Sequence, residues 1–247
     1  MFSNFVQKAS LYNYGYTSMG MPAHFAFDGT HNYIIDYQTG YAYIYDNNWQ
    51  YQSYKETPYP NPYHFVYVSG FFYIVADYYV YKTDTNFNLV GTPYYGSYAY
   101  RGVAHINGLI YAAQPFLREI HVFSKTNFNN YKYILNTSPH SGNGLCYYNG
   151  KLYVGSSAGI VLIYSTVSSG STFTSSFQTA CTTYIMSISV DVSGSLGMSC
   201  LGGFGYAYTI RGTLQNTLSN VGEVTSIFPD SNGRLITVGY NGIYIYY

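Results

Sequence analysis

Apolar and polar positions alternate with a period of two over most of this chain, and glycine interrupts the alternation at regular intervals. Short apolar runs end at Gly29, Gly70, Gly108, Gly150, Gly194 and Gly233, and each is answered by a second apolar run. Ala23-His24-Phe25-Ala26-Phe27 leads to Gly29, and Tyr63-His64-Phe65-Val66-Tyr67-Val68 leads to Gly70. Gly102-Val103-Ala104-His105-Ile106 and Gly144-Leu145-Cys146-Tyr147-Tyr148 do the same for Gly108 and Gly150. The glycines recur about every forty residues, and a period of that length made from strands is the mark of a β-propeller. Each pair of runs predicts two antiparallel strands joined by a tight turn, where glycine accommodates positive φ.

A third strand follows in each unit, as in Tyr41-Ala42-Tyr43-Ile44-Tyr45 and Glu119-Ile120-His121-Val122-Phe123. A more polar fourth strand is expected outside it, for example Asn86-Phe87-Asn88-Leu89-Val90. The last unit has residues for three strands only, ending at Ile243-Tyr244-Ile245-Tyr246-Tyr247. The N-terminal stretch around Ala9-Ser10-Leu11-Tyr12 is therefore expected to supply the missing strand and seal the last blade. The predicted fold is all-β, a single-domain six-bladed propeller of four-stranded antiparallel blades over residues 1–247. The closing strand is placed at about 8–16 and the blades at about 22–58, 62–98, 100–137, 142–180, 184–220 and 223–247.

Pro22-Ala23-His24-Phe25 at the start of a first strand, Tyr73-Ile74-Val75-Ala76-Asp77 closing a second, and the alternation of Arg118-Glu119-Ile120-His121-Val122-Phe123 in a third together resemble the NHL-type six-bladed propellers. His24 and His64 stand where that family usually has glycine. The resemblance implies the propeller fold and names no ligand.

Composition changes the picture in one respect. Charged residues make up 8% of the chain and balance to a formal net charge of zero, while tyrosine alone occurs 35 times. A surface so poor in charge gives copies little cause to repel one another. Blade packing consumes most of the tyrosines, and the remainder are expected outside as adhesive or glycan-stacking surface. Trp49, the only tryptophan, is placed at a blade edge, with a stacking platform for sugars as the alternative. No basic cluster exists to meet phosphate, so nucleic acid is excluded as a partner. No run approaches the roughly 20 apolar residues of a membrane span, and the opening residues lack a signal-peptide pattern.

Candidate chemistry is sparse. No nucleophile elbow, phosphate-binding loop, His-Glu-x-x-His or Cys-x-x-Cys occurs, so no catalytic residue, resident metal or cofactor is expected. The acids Asp28, Asp36, Asp46, Asp77, Asp84, Asp191 and Asp230 sit at turns or strand ends, where short side chains bind nearby backbone. Aligning the blades puts His24, His64, Gly102, Gly144, Ser187 and Ser226 at equivalent positions on the innermost strands, near one mouth of a central channel, with Arg101 one position away. Two imidazoles fall short of the three protein ligands of a catalytic zinc, so these residues are expected to line the channel. Cys181 and Cys200 fall at the same edge of two antiparallel strands, which allows a disulfide, with two reduced buried thiols as the alternative. Cys146 is expected to be a buried free thiol, and Asn136-Thr137-Ser138 is a glycosylation sequon followed by Pro139.

These readings lead to a non-enzymatic extracellular interaction or structural propeller. It is expected to bind itself in an oligomer or filament, or to bind other extracellular proteins or glycans. A glycan- or small-ligand-binding propeller and a metal-dependent propeller hydrolase or lyase are the alternatives.

Overall fold

The computed structural model describes residues 7–10, 20–167, 170–190, 194–202, 204–218, 224–229, 234–239 and 242–246. The regular elements among them are all strands, arranged as six four-stranded antiparallel sheets, the blades of a six-bladed β-propeller. No helix among the described residues is long and apolar enough to cross a membrane. The chain divides into two compact units, Tyr14–Gly142 and a second made of Met1–Asn13 with Asn143–Tyr247.

Strand β1 (Gln7–Ser10) belongs to the second unit. The Tyr14–Gly142 unit holds three sheets in simple sequence order. They are β2 (Pro22–Phe27), β3 (Asn32–Asp36), β4 (Tyr41–Tyr45) and β5 (Tyr51–Glu56); β6 (Pro62–Val68), β7 (Phe71–Ala76), β8 (Tyr79–Asp84) and β9 (Tyr94–Tyr95); and β10 (Gly102–Ile106), β11 (Leu109–Gln114), β12 (Glu119–Ser124) and β13 (Tyr133–Asn136). Ser69-Gly70 joins β6 to β7 and Asn107-Gly108 joins β10 to β11, with φ of 49° and 88° in one turn and 50° and 78° in the other. Two successive left-handed residues are what a two-residue type I′ hairpin requires, because that turn matches the twist of the strands it joins.

Rings fill the spaces between these sheets. Phe72 is fully buried and packs on Tyr33 (ring centroids 4.7 Å), Phe65 (5.4 Å), Tyr67 (5.4 Å) and Phe87 (4.9 Å, stacked). Burying one such ring is worth roughly 1.5–3 kcal/mol of transfer free energy, so a few of them dominate the packing of the first sheet on the second.

One expectation is corrected here, and one alternative falls. The outer strand of the second sheet is β9, not Asn86–Val90, which makes a single bridge at Leu89 to Thr83. The Asp84 carboxylate accepts the backbone N–H groups of Asn86 and Asn88 (2.8 and 2.9 Å), curling the segment into a side-chain-closed turn with Phe87 at φ 63°. Trp49 lies in a similar turn, closed by Asp46, at φ 62°. It is 0% exposed against Phe25 and Tyr45, so it offers no platform to a sugar.

In the second unit, β14 (Gly142–Tyr148), β15 (Lys151–Ser156), β16 (Ile160–Val167) and β17 (Gly170–Gln178) form one sheet. The next contains β18 (Ile185–Val190), β19 (Ser195–Cys200), β20 (Phe204–Thr209) and β21 (Leu214–Leu218). The last contains β22 (Val224–Pro229), β23 (Leu235–Gly239) and β24 (Gly242–Tyr246), and β1 completes it by pairing Gln7 with Tyr246 and Ser10 with Tyr244. The N-terminal segment thus supplies the fourth strand, as expected, over Gln7–Ser10; residues 11–16 of the predicted strand lie outside the described residues.

Packing in this unit relies on close backbone approach. A Cβ on Gly144 would come within 2.9 Å of the Ile188 nitrogen and 3.0 Å of the Ser187 Cα. Ile185, Ile188, Leu196 and Met198 then close the core between β15, β18 and β19.

Candidate functional site

The inner-strand residues aligned from the sequence fall into two local groups. In four first strands the register shifts by one residue just before the aligned position, between Pro22 and His24, Pro62 and His64, Ile185 and Ser187, and Val224 and Ser226. A bulge inserts one residue and re-aims the next side chain. Gly102, which has no side chain to aim, pairs with Ala113 in unbroken register.

His24 and His64 are brought together, with ring centroids 3.3 Å apart and planes tilted by 31°. The Val103 N–H donates to Nδ1 of His64 (3.2 Å), which fixes that nitrogen as an acceptor and the ring as neutral. His64 Nε2 and His24 Nδ1 are both sealed from solvent with no hydrogen-bond partner among the described residues. Burial lowers the His24 pKa to about 3, against the opposing effect of hydrogen bonds with the Phe65 and Phe25 backbone. Burial, followed by repulsion from His24, lowers that of His64. Among the described residues no three or more His, Cys, Asp or Glu side chains gather as a metal site would need.

Ser187 and Ser226 also meet, Oγ to Oγ at 3.1 Å, and both are buried. The Ser189 hydroxyl donates to the Ile227 carbonyl (2.5 Å) and that of Ser199 to the Thr225 carbonyl (2.8 Å). The hydroxyls therefore stitch β18 and β19 to β22, as His64 ties β6 to β10. Arg101 joins neither group. Its guanidinium lies 3.6 Å over the Tyr63 ring and 3.8 Å from the Asp77 carboxylate, which also accepts from the Asn61 amide (2.6 Å).

Asp28, Asp36, Asp46 and Asp84 bind nearby backbone as anticipated, whereas Asp77 accepts from the Asn61 side chain. Asp28 accepts from the N–H groups of Thr30 and His31, and Asp36 from those of Gln38 and Thr39. Burial raises the Asp28 pKa, but these donors and the Tyr33 hydroxyl outweigh it and hold the carboxyl below its ordinary value. Asp191 and Asp230 lie outside the described residues. Cys181 and Cys200 are joined in a disulfide with Cα atoms 6.0 Å apart. Cys146 is free and half-buried, and burial pushes its thiol pKa up, which leaves it a poor nucleophile. Asn136 is exposed at the end of β13, and its side-chain oxygen accepts from the Ser138 N–H (2.7 Å).

Two groupings were not read from the sequence. The buried Tyr100 hydroxyl meets His121 Nδ1 (2.7 Å), and His121 Nε2 meets Glu119 (2.9 Å), forming a Tyr-His-Glu chain. Glu119 and His121 alternate on one strand and Tyr100 lies far back in sequence, so only the pairing of β10, β11 and β12 unites them. The second grouping is a surface of rings. Tyr98 and Phe116 stack (4.2 Å), Tyr78 and Tyr95 touch (5.9 Å), and Tyr37 lies against Tyr63 (4.4 Å). Backbone bonds from Gly96 to Tyr78 and from Tyr100 to Asp77 hold these loops side by side. Tyr95 and Phe116 are 64% and 70% exposed.

The chain matches no protein-family model, and no curated protein sequence is similar to it. The propeller fold therefore stands on the strand topology, and the NHL-type motifs gain no support from comparison.

Proposed function

We propose that this chain is a non-enzymatic interaction propeller, a structural or adhesive module that acts outside the cell and associates with copies of itself. The observation that most favours this reading is the exposed ring surface formed by Tyr78, Tyr95, Tyr98 and Phe116. Water-exposed rings held by backbone bonds lose little rotamer freedom when covered, so they give contact area at small entropic cost. Zero net charge lets a second neutral surface approach. The Cys181–Cys200 disulfide fits an oxidising compartment. An NHL-type relationship, resting on the repeat motifs, is part of the same proposal, as is the exclusion of nucleic acid and membrane insertion.

Negative-stain electron microscopy beside light scattering over a concentration series tests the proposal. Regular oligomers or filaments are expected, and monodisperse single particles at every concentration would overturn self-association.

A glycan-binding reading is favoured by one specific feature. Asn61, Asp77 and Arg101 form a polar cluster against the Tyr63 ring, the combination of hydroxyl-binding groups and an aromatic face that sugars use. Titration calorimetry with neutral chitin and β-glucan oligosaccharides, repeated on Arg101→Ala, separates this reading from self-association.

A further inference from the structure

A sheet edge presents backbone N–H and C=O groups to any strand that approaches, and proteins blunt such edges with charge, proline, shortness or bulges. The outer strands of this protein are guarded unequally. β5 carries Lys55 and Glu56 in Tyr51–Glu56, and β1 carries Lys8 in Gln7–Ser10. β9 is two residues long, and β13 is four, between Lys132 and Pro139. β21 has five, three residues after Arg211.

β17 has neither charge nor proline and is not short; its one guard is a bulge at Thr174, where the register shifts between Ile163 and Tyr164 of β16. It is nine residues long, Gly-Ser-Thr-Phe-Thr-Ser-Ser-Phe-Gln, and is the last strand of its sheet. Thr172, Phe173, Thr174, Ser175 and Ser176 are all exposed, Phe173 at 53%. From Leu152 to Val190 the sequence contains no Asp, Glu, Lys, Arg or Pro, so the flanking segments supply neither charge nor proline.

We propose that β17 is an interaction edge whose partner is β17 of a second copy of this chain, paired antiparallel about a two-fold axis. An uncharged edge has no electrostatic preference for a foreign strand. Its Ser and Thr hydroxyls donate and accept alike, so a reversed copy of the same strand complements it. Cross-strand Thr–Thr, Thr–Ser and aromatic pairs add roughly 0.2–1 kcal/mol each beyond the main-chain bonds. Because the contact is isologous, it closes at a dimer, and growth into a filament requires a second surface such as the exposed rings. The inference rests on the self-association reading and assigns it one contact.

Analytical ultracentrifugation of the full chain and of a Thr172→Lys/Ser176→Lys variant tests it, beside hydrogen exchange of the wild type at low and high concentration. The expected result is a dissociation constant raised by about tenfold or more in the variant, a difference of about 1.4 kcal/mol. Exchange across residues 171–178 should slow as concentration rises. Undiminished association of a folded variant would overturn the assignment of β17 while leaving self-association standing. A wild type that stays monomeric throughout would overturn both. Should the variant fail to fold, exchange at residues 171–178 that is independent of concentration in an associating wild type would refute the edge contact by itself.

Discussion

The same inner-strand position is filled in opposite ways in the two units. In Tyr14–Gly142 it carries His24 and His64, two large rings in close tilted contact, beside Gly102. In the other unit it carries Ser187 and Ser226, two hydroxyls sharing a hydrogen bond, and Gly144, which has no room for a side chain. The bulged backbone that precedes both pairs is alike, so the repeat fixes where a residue points and leaves open what it contributes. The pattern extends outward, to rings packed on Phe72 in one unit and close backbone approach at Gly144 in the other. One unit should fail when volume is removed and the other when volume is added.

Removing volume should have the largest effect. Phe72→Ala is expected to cost about 3–5 kcal/mol, because four neighbouring rings cannot collapse into the space it leaves; a denaturant midpoint that barely moves would refute the ring-packed description. Next comes Cys200→Ser. It opens a disulfide of sequence separation 19 and should destabilise by about 3 kcal/mol, read as a lower thermal midpoint that reductant no longer changes. Gly144→Ala adds one methyl against the Ser187–Ile188 backbone and should cost roughly 1–3 kcal/mol, whereas a neutral result would mean that this contact yields freely.

A pH titration separates the two pairs, and only its slope per pH unit is small beside the substitutions above. His24 titrates at about 3 in the fold against about 6.5 when unfolded, and His64 is shifted the same way. Between those values the unfolded chain binds more protons, so stability present above pH 6.5 is lost as pH falls towards 3. The slope is at most about 1.4 kcal/mol per pH unit for each histidine. His24→Asn/His64→Asn should flatten that slope in acid denaturation, while Ser187→Ala/Ser226→Ala should leave it unchanged, since hydroxyls do not titrate there.

Much of this architecture is legible in the residues because the signal is local. Gly70, Gly108 and Gly150 mark their turns through φ, a property of one or two residues, and all three are left-handed as their hairpins need. Gly233 falls outside the described residues. The displaced outer strand of the second sheet was missed because Asn86–Val90 has the composition of a strand, while the Asp84 carboxylate that curls it acts from outside the run. Alignment brought His24 and His64 to equivalent positions but could not give their close, tilted ring contact, which depends on how the two sheets pack. The Tyr100–His121–Glu119 chain was invisible for a related reason, since its members meet only after three strands have paired.

The pairing of β1 with β24 has a consequence for synthesis on the ribosome. The Tyr14–Gly142 unit is contiguous and can assemble as soon as it emerges, whereas the last sheet needs one strand from each end of the described chain. At about 5–20 residues per second the β1 segment waits on the order of ten to fifty seconds for its partner. For that interval β1 has no strand to pair with, and it is a segment a chaperone holds until β24 emerges.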